Sequence, residues 1–440
     1  MNNAAIALTA FLALATTFGL TITLWGSFGI VRLISDRRRH LRTIYEFNPG
    51  PTGSVRVIDV AVLIPAHNES MVIERTVRDV LTLVPAENVF VVSDGSKDDT
   101  VELAHECGVQ VLVLPVAGGK AKALKTAIAA FELPRHFEVV LFLDADTRLD
   151  DHYFEAALPL FDDPDVSCVA GCAATVWAPK EMTWRAQVLA AHRDRMYWVF
   201  QRLVKYGQSW RYANCASIVP GFASMYRADL LDSIDIDAPG LVIEDFNMTF
   251  EVQHRHLGLA AFTPRALAYT QDPHKLKDYY RQLRRWSLGF WQTVRRHGMW
   301  VSKFWASLSI TMFEVVSSSI VLLATAVGVA SLAFGDLLAK ITSHLGPIAS
   351  THHFLAGNFG YKVVLFGIVL PDYAMTVVTA IALRRPRYLL LGLLFVPMRV
   401  VDGMAIMASI PRAWTQKSTG TWVSPERRSN SEGEPATTAA

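Results

Sequence analysis

Long apolar runs dominate both ends of the chain. Residues 1–31 carry no charged side chain, residues 304–335 carry only Glu314, and residues 363–383 carry only Asp372. A fourth run, 388–410, is interrupted by Pro397, Arg399 and Asp402. About 20 apolar residues in a helix cross the ~30 Å hydrocarbon core of a bilayer, so the first three runs predict membrane spans. The fourth reads either as a broken span lining a cavity or as an interfacial hairpin. Arg32, Arg37, Arg38, Arg39 and Arg42 follow the first run, and Arg384, Arg385 and Arg387 follow the third. Arginines in that position mark the cytoplasmic side. A cleaved signal would place its charges before a shorter apolar core, so 4–31 reads as an uncleaved span.

Between these runs the pattern changes. Residues 57–64 are apolar and β-branched, and a helical pattern starts near Ser70. "NVFVVSDGS" (88–96), "VQVLVLP" (109–115) and "EVVLFLDADT" (138–147) repeat the strand signal, with helical segments between them. Strand and helix alternating at this spacing predict a parallel α/β sheet. Polar residues gather just beyond the strand ends: Asn68 and Glu69, then Asp94, then Asp144 and Asp146. Open α/β sheets bind ligands at that edge.

Four segments there carry candidate chemistry. In "DAD" (144–146) the side chains at i and i+2 of an extended segment point the same way. Two carboxylates so placed repel unless a cation lies between them, which suits Mg²⁺ or Mn²⁺ shared with a diphosphate. "GGKAKALKTAI" from Gly118 offers Lys120 and helical N–H groups to anions, while Lys122 and Lys125 fit a solvated face better. It lacks the spacing of a Walker A loop. "LVIEDFNMTF" pairs Glu244 with Asp245, so that one acid can tune the other as a base; acids in a first helical turn are also favoured by the helix dipole alone. "DYYRQLRRWSLGFW" (278–291) puts Gln282, Arg285 and Trp286 at i, i+3 and i+4, on one face of an amphipathic helix that suits the headgroup layer.

Composition narrows the class. Hydrophobic residues make up 51% and the net charge is +2, with a mean hydropathy of +0.26. No global field recruits nucleic acid, so basic patches are local. Cys107, Cys168, Cys172 and Cys215 lack zinc-ligand spacing and read as buried free thiols. The end of the chain, "SNSEGEPATTAA", reads as a disordered polar tail.

Taken in order, "PAHNE", "SDGSKDDT", "GGKAKAL", "DADT", "PGFASMYR", "EDFNMTF" and "QLRRW" resemble the motifs of family 2 inverting glycosyltransferases. The likeness is to the membrane-integrated processive group that makes cellulose, chitin, hyaluronan and poly-N-acetylglucosamine. "GTWVSPERR" looks most like the poly-N-acetylglucosamine branch. The resemblance covers about 57–300 and implies an α/β GT-A domain with a mostly parallel sheet, of the nucleotide-diphospho-sugar transferase type, inserted between transmembrane helices. The implied organisation is a transmembrane helix in 1–35, a basic linker in 36–56, a cytoplasmic catalytic domain in 57–270, interfacial helices in 271–300, a membrane region in 301–411 and a tail in 412–440.

The same resemblance implies roles. Ala66, Glu69 and Asp94 would hold the uridine of a UDP-sugar, and Lys120 would face its diphosphate. Asp144 would lie near the nucleotide and Asp146 on Mg²⁺ or Mn²⁺. Asp245 would be the general base, with Gln282, Arg285 and Trp286 at the acceptor end. Ser93 stands where the family often has a second aspartate, and Cys172 lies in a region that often shapes the acceptor site. The implied acceptor is a glycan or a lipid-linked sugar, the setting is the cell membrane with its lipids, and accessory export or regulatory subunits are compatible with it. Transfer of one sugar to a lipid is the alternative activity. A non-catalytic nucleotide-sensing membrane component is the alternative class.

Overall fold

The computed structural model describes residues 18–45, 55–341 and 364–416. Most of the first apolar run and nearly all of the tail lie outside the described residues.

The centre of the molecule is one eight-stranded sheet in the order β3-β2-β1-β4-β7-β6-β8-β5. Strands β1 (Val60–Ala66), β2 (Val89–Asp94), β3 (Gln110–Leu114) and β4 (Val139–Leu143) are parallel neighbours. Every residue of β1, β2 and β4 is buried, as continuous apolar runs require when both sheet faces are covered. The alternation along β1 sorts the core. Val60, Val62 and Ile64 pack with Ile73, Val77 and Val80 of α1 (Ile73–Leu81). Ala61 and Leu63 pack on the other face with Ala123, Leu124 and Ala127 of α3 (Lys120–Ala130). Helix α2 (Thr100–Glu106) connects β2 to β3.

The second half departs from the parallel pattern. Strand β7 (Ala223–Arg227) runs antiparallel to both β4 and β6 (Val166–Thr175). Strand β8 (Leu259–Thr270) is parallel to β6, and the two-residue β5 (Arg148–Leu149) is antiparallel to β8. The sheet is therefore mixed: a four-stranded parallel block carries the predicted ligand edge, and antiparallel β7 joins it to a parallel β6–β8 pair. Gly171 lets β6 approach β7, because a Cβ there would stand 1.9 Å from the Ala223 carbonyl oxygen.

Helix α4 (Trp184–Val199) continues through a π-helical turn (Phe200–Lys205), α5 (Glu244–His254) precedes β8, and α6 (Leu276–His297) follows it. Among the described residues three helical stretches are long and apolar enough to cross a membrane: Lys303–Ala330, Leu365–Ala382 and Arg387–Thr415. The last begins with a short helical turn and settles into α7 (Phe395–Thr415). The two aspartates inside the last two stretches face protein. Asp372 accepts from Arg195 (2.7 Å) and Arg399 (3.1 Å), and Asp402 pairs with His192 (2.9 Å). An N-terminal helix, Leu20–Tyr45, docks on the sheet through Arg32, which donates to the carbonyls of Tyr206 (2.7 Å) and Phe262 (3.1 Å). Cys168, Cys172 and Cys215 are buried, and all four thiols are free.

Candidate active site

Parallel register puts the ends of β1, β2 and β4 on one sheet edge, with Ala66 opposite Ser93 and Asp94 opposite Leu114. The loops leaving that edge are stitched together. Asn68, at φ 54°, donates its N–H to Ser96 Oγ (3.1 Å), and its side-chain oxygen accepts from Lys97 N–H (2.8 Å). The Glu69 N–H donates to Thr100 Oγ1 (2.8 Å). Asp94 is fully buried, and its carboxylate accepts from the N–H groups of Gly118 (2.7 Å) and Gly119 (2.8 Å). In this state Asp94 fixes the glycine loop, which aims the first turn of α3 at the edge.

Lys120 opens α3 and carries the central contact. Its ammonium lies 2.6 Å from Asp144 Oδ1, 3.0 Å from Glu244 Oε1 and 3.1 Å from the Gly221 carbonyl oxygen. One cation thus joins an acid just past the end of β4 to one in α5, segments far apart in sequence. Burial opposes charge on Lys120, but Asp144 and Glu244 outweigh it and move its pKa up. Glu244 moves the other way. Burial disfavours its charge, yet Lys120 and then Arg285 hold its pKa below the usual value.

Asp245 sits beside this pair. Its Oδ1 accepts from Phe246 N–H (2.7 Å) and its Oδ2 from Gly221 N–H (3.1 Å). Burial, then the Glu244 charge, push its pKa up to about 6, against those hydrogen bonds and Lys120. That value keeps Asp245 ionised at neutral pH and able to take a proton. Gly221 serves both sides, and a Cβ there would stand 3.1 Å from Glu244 Oε1 and 3.2 Å from Lys120 Nζ.

The α6 helix closes against this loop. Gly289 lets it lie on Ile243, where a Cβ would come within 2.9 Å, and Gln292 Oε1 accepts from Val242 N–H (3.1 Å). Arg285, Gly289 and Gln292 are i, i+4 and i+7, so they share a face. Arg285 is exposed on that face, next to Glu244. Gln282 and Trp286 turn to a different partner. Gln282 Oε1 accepts from Arg193 Nη2 (2.7 Å), and the Arg193 guanidinium lies 4.6 Å from the Trp286 ring centre and 4.8 Å from that of Tyr279. Arg193 is 1% exposed and 3.8 Å from Asp272. Burial pushes the Asp272 pKa up to about 6 against the pull of Arg193, and the charges of Asp194 and Asp146 add to the rise. Asp272 therefore links the Asp144–Asp146 strand end to the Gln282–Trp286 face.

The structure brings Lys120, Asp144, Asp245 and Arg285 to one place. Ala66, Glu69 and Asp94 lie along the same edge. Gln282 and Trp286 gather instead on Arg193, and the charge of Asp146 reaches that second cluster at Asp272. Arg193, Asp272 and Gly221 were not singled out from sequence. "HRDR" (192–195) resembles a solvated stretch, and Asp272, before Pro273, resembles a turn.

Residues 58–289 match the family described as glycosyltransferase like family 2. The chain belongs to that family. A poly-β-1,6-N-acetyl-D-glucosamine synthase of Staphylococcus epidermidis is 24% identical over 396 residues, spanning 84% of this chain and 88% of the relative. A probable glycosyltransferase of Bacillus subtilis, YdaM, is 26% identical over 240 residues, spanning 52% of this chain and 54% of that protein. Among solved structures, a mannosyltransferase from Pyrobaculum calidifontis in complex with GDP-Man and Mn²⁺ is similar at 16% identity with a TM-score of 0.49, covering 89% of this chain and 99% of that one. As a family 2 glycosyltransferase with a GT-A domain, the chain is an enzyme that moves a sugar from a nucleotide donor. The cluster around Lys120 stands at the strand-end edge where open α/β sheets in general bind ligands.

Proposed function

We propose that this glycosyltransferase moves N-acetylglucosamine from UDP-N-acetylglucosamine to the end of a growing β-linked polysaccharide, with inversion, on the cytoplasmic side of the cell membrane. The observation that carries the reading is Asp245, held at a pKa of about 6 beside the Lys120–Glu244–Asp144 cluster and within the field of Arg285. The donor and product follow the Staphylococcus relatives. The catalytic unit is assigned to 57–270, the interfacial part to 271–300 and the membrane part to 301–411. Three helices apolar enough to span support the membrane placement.

In the proposed reaction Asp245 accepts the proton of the acceptor hydroxyl as its oxygen attacks the anomeric carbon. The bond from that carbon to the phosphate oxygen breaks, and UDP leaves with the electron pair. An α-linked donor gives a β-linkage. Arg285 and Lys120 stabilise the negative charge that grows on the diphosphate, and removing one such donor typically costs about 10²–10³ in rate. Ala66, Glu69 and Asp94 define the uridine end. Trp286 offers a plate to the terminal acceptor sugar, with Arg193 against its ring and Gln282 fixed by the same guanidinium.

Asp144 and Asp146 fit a hard divalent cation, Mg²⁺ or Mn²⁺. The donor set is all carboxylate, the oxygen chemistry such an ion takes, and with no group of three His, Cys, Asp or Glu side chains able to hold a metal among the described residues the remaining ligands would come from outside the protein. When bound, such an ion neutralises charge on the diphosphate.

The test is an incubation of purified protein with labelled UDP-N-acetylglucosamine. A ladder of β-linked polymer is expected, and Asp245→Asn should bind UDP yet form none. A single labelled lipid product would replace this reading with glycosylation of a lipid acceptor. UDP binding without turnover would replace it with a sensing role.

A further inference from the structure

A cavity of 240 Å³ opens between α6 and α7, lined by Arg284, Leu288, Ser409, Arg412 and Gln416. It is separate from the transfer site, because Arg284 projects from a different face of α6 than Arg285 and Gln282. Its frame is rigid. The buried Ser409 hydroxyl lies 2.6 Å from the Ala405 carbonyl oxygen and 3.3 Å from that of Arg284, so its one proton is shared between the two helices at that level. One turn further along, Arg295 donates to the Ala413 carbonyl, and Trp291 and Trp414 lie 6.4 Å apart. Trp414 is 53% exposed.

The charge in this cavity is unbalanced. Other arginines of these helices have partners: Arg281 with Asp278, Arg296 with Asp235 and Arg399 with Asp372. The Arg284 and Arg412 side chains have neither an ion pair nor a hydrogen bond among the described residues, and no acid lines the cavity. Two cations brought to one concave site repel unless an anion joins them. Guanidinium forks match phosphate oxygens in pairs. The position defines which phosphate. The cavity lies at the end of the apolar stretch Arg387–Thr415, beside a tryptophan pair of the kind that marks the membrane–water boundary. Its volume is below the ~300–1,000 Å³ of pockets that enclose whole drug-sized ligands, so it suits a headgroup and not a nucleotide-sugar.

We propose that this cavity holds the phosphate of an anionic phospholipid, gripped by Arg284 and Arg412, with Leu288 against the start of the glycerol and acyl part. The inference rests on the membrane placement of Arg387–Thr415 and is independent of the chemistry assigned to Asp245. A lipid bound here joins α6, which carries Arg285 and Trp286, to the last apolar helix.

The experiment uses the full chain, purified in mild detergent and exposed to equal amounts of phosphatidylglycerol and phosphatidylcholine, with retained lipid measured by native mass spectrometry. Preferential retention of phosphatidylglycerol is expected. Arg284→Gln with Arg412→Gln should lower it about twenty-five-fold, since each basic residue near a membrane surface contributes about fivefold. Arg284→Lys with Arg412→Lys should lower it less than the glutamine pair, because the charge remains while the paired guanidinium contacts are lost. Should the glutamine pair fail to fold, the single variant Leu288→Glu puts a counter-charge in the cavity and should lower retention by itself. Asp245→Asn should retain lipid like the parent protein, which separates this result from the fate of the transferase reading. Equal retention of both lipids, or unchanged retention in folded glutamine and glutamate variants, overturns the proposal. Displacement of the lipid by glycerol phosphate at equal concentration would assign the cavity to a soluble phosphate ester and overturn the lipid source.

Discussion

Glu244→Gln gives the most direct access to the proposed base. In the parent protein, burial and the Glu244 charge hold the Asp245 pKa at about 6. The pH dependence of kcat/KM reports groups of the free enzyme, which is the state described here. A base of pKa about 6 is ionised to about one part in eleven at pH 5, so kcat/KM should fall about tenfold per pH unit below the midpoint. Glu244→Gln removes a like charge and leaves Lys120 nearby, and both changes favour the ionised form of Asp245. The acid limb should move to lower pH by on the order of one unit. The variant would then keep about half of its own plateau at pH 5, where the parent keeps about a tenth. The assay is UDP release at low donor concentration across pH 4.5–8, with each profile scaled to its plateau. Loss of the Lys120–Glu244 contact lowers the height of the profile without dictating its midpoint, so only the midpoint is read. An acid limb that stays in place, or moves up, would refute the link between Glu244, Asp245 and proton transfer.

The same raised pKa has a stability consequence. A carboxyl whose pKa is raised on folding costs stability while it is ionised, and that cost disappears as pH falls through about 6 toward its unfolded value. Asp245→Asn should therefore melt higher than the parent at pH 7.5, by on the order of 2 kcal/mol, and in a pair of thermal melts the gap should shrink to about a third by pH 4.5 and close only below about pH 3.8. Arg193→Met should leave UDP binding intact while lowering transfer by about 10–100-fold, because Gln282 and Trp286 lose their common support. It should also destabilise by roughly 3–5 kcal/mol through the unpaired Asp272, a loss that Asp272→Asn in the same chain should largely recover in denaturant titrations. Chelation should abolish transfer, Mg²⁺ or Mn²⁺ should restore it, and Asp146→Asn should need more metal for half-activity; full activity in chelator would remove the metal from the scheme.

Legibility from sequence followed the distance over which each signal acts. β1, β2 and β4 were readable because both their faces are buried, so apolar runs and the acids that end them are local facts. β6 was not readable, because "VSCVAGCAAT" is built from small residues with weak strand preference, chosen for close approach to β7 at Gly171. Within the site, Asp144, Asp245 and Lys120 were each visible, but their joining was not. A bridge from Lys120 to Glu244 spans segments that no local pattern connects. Arg399 and Asp402 appeared as faults in an apolar run, since their partners Asp372 and His192 lie elsewhere in the chain.

Those distant partners converge on one helix. His192, Arg193, Asp194 and Arg195 are consecutive and all buried, and each reaches a different element. His192 meets Asp402 in α7, and Arg193 meets Gln282 in α6. Asp194 accepts from Arg385 in the turn between the two C-terminal apolar stretches (2.6 Å), and Arg195 donates to Asp372 within the first of them (2.7 Å). Buried ion pairs add little net stability over apolar packing, but a broken one costs roughly 3–5 kcal/mol. Sliding any one of these helices would therefore leave a charge unpaired, whereas a greasy interface would tolerate the slip. Tyr279 strengthens the lock by donating to the second oxygen of Asp402 (2.7 Å), from the turn of α6 that precedes Gln282. The face that carries Gln282 and Trp286 is thus held in register with the apolar helices by the same four residues that support it. Accuracy at the acceptor end of the site and anchorage to the C-terminal helices are one structural requirement, met by charges placed where a soluble domain would place leucines.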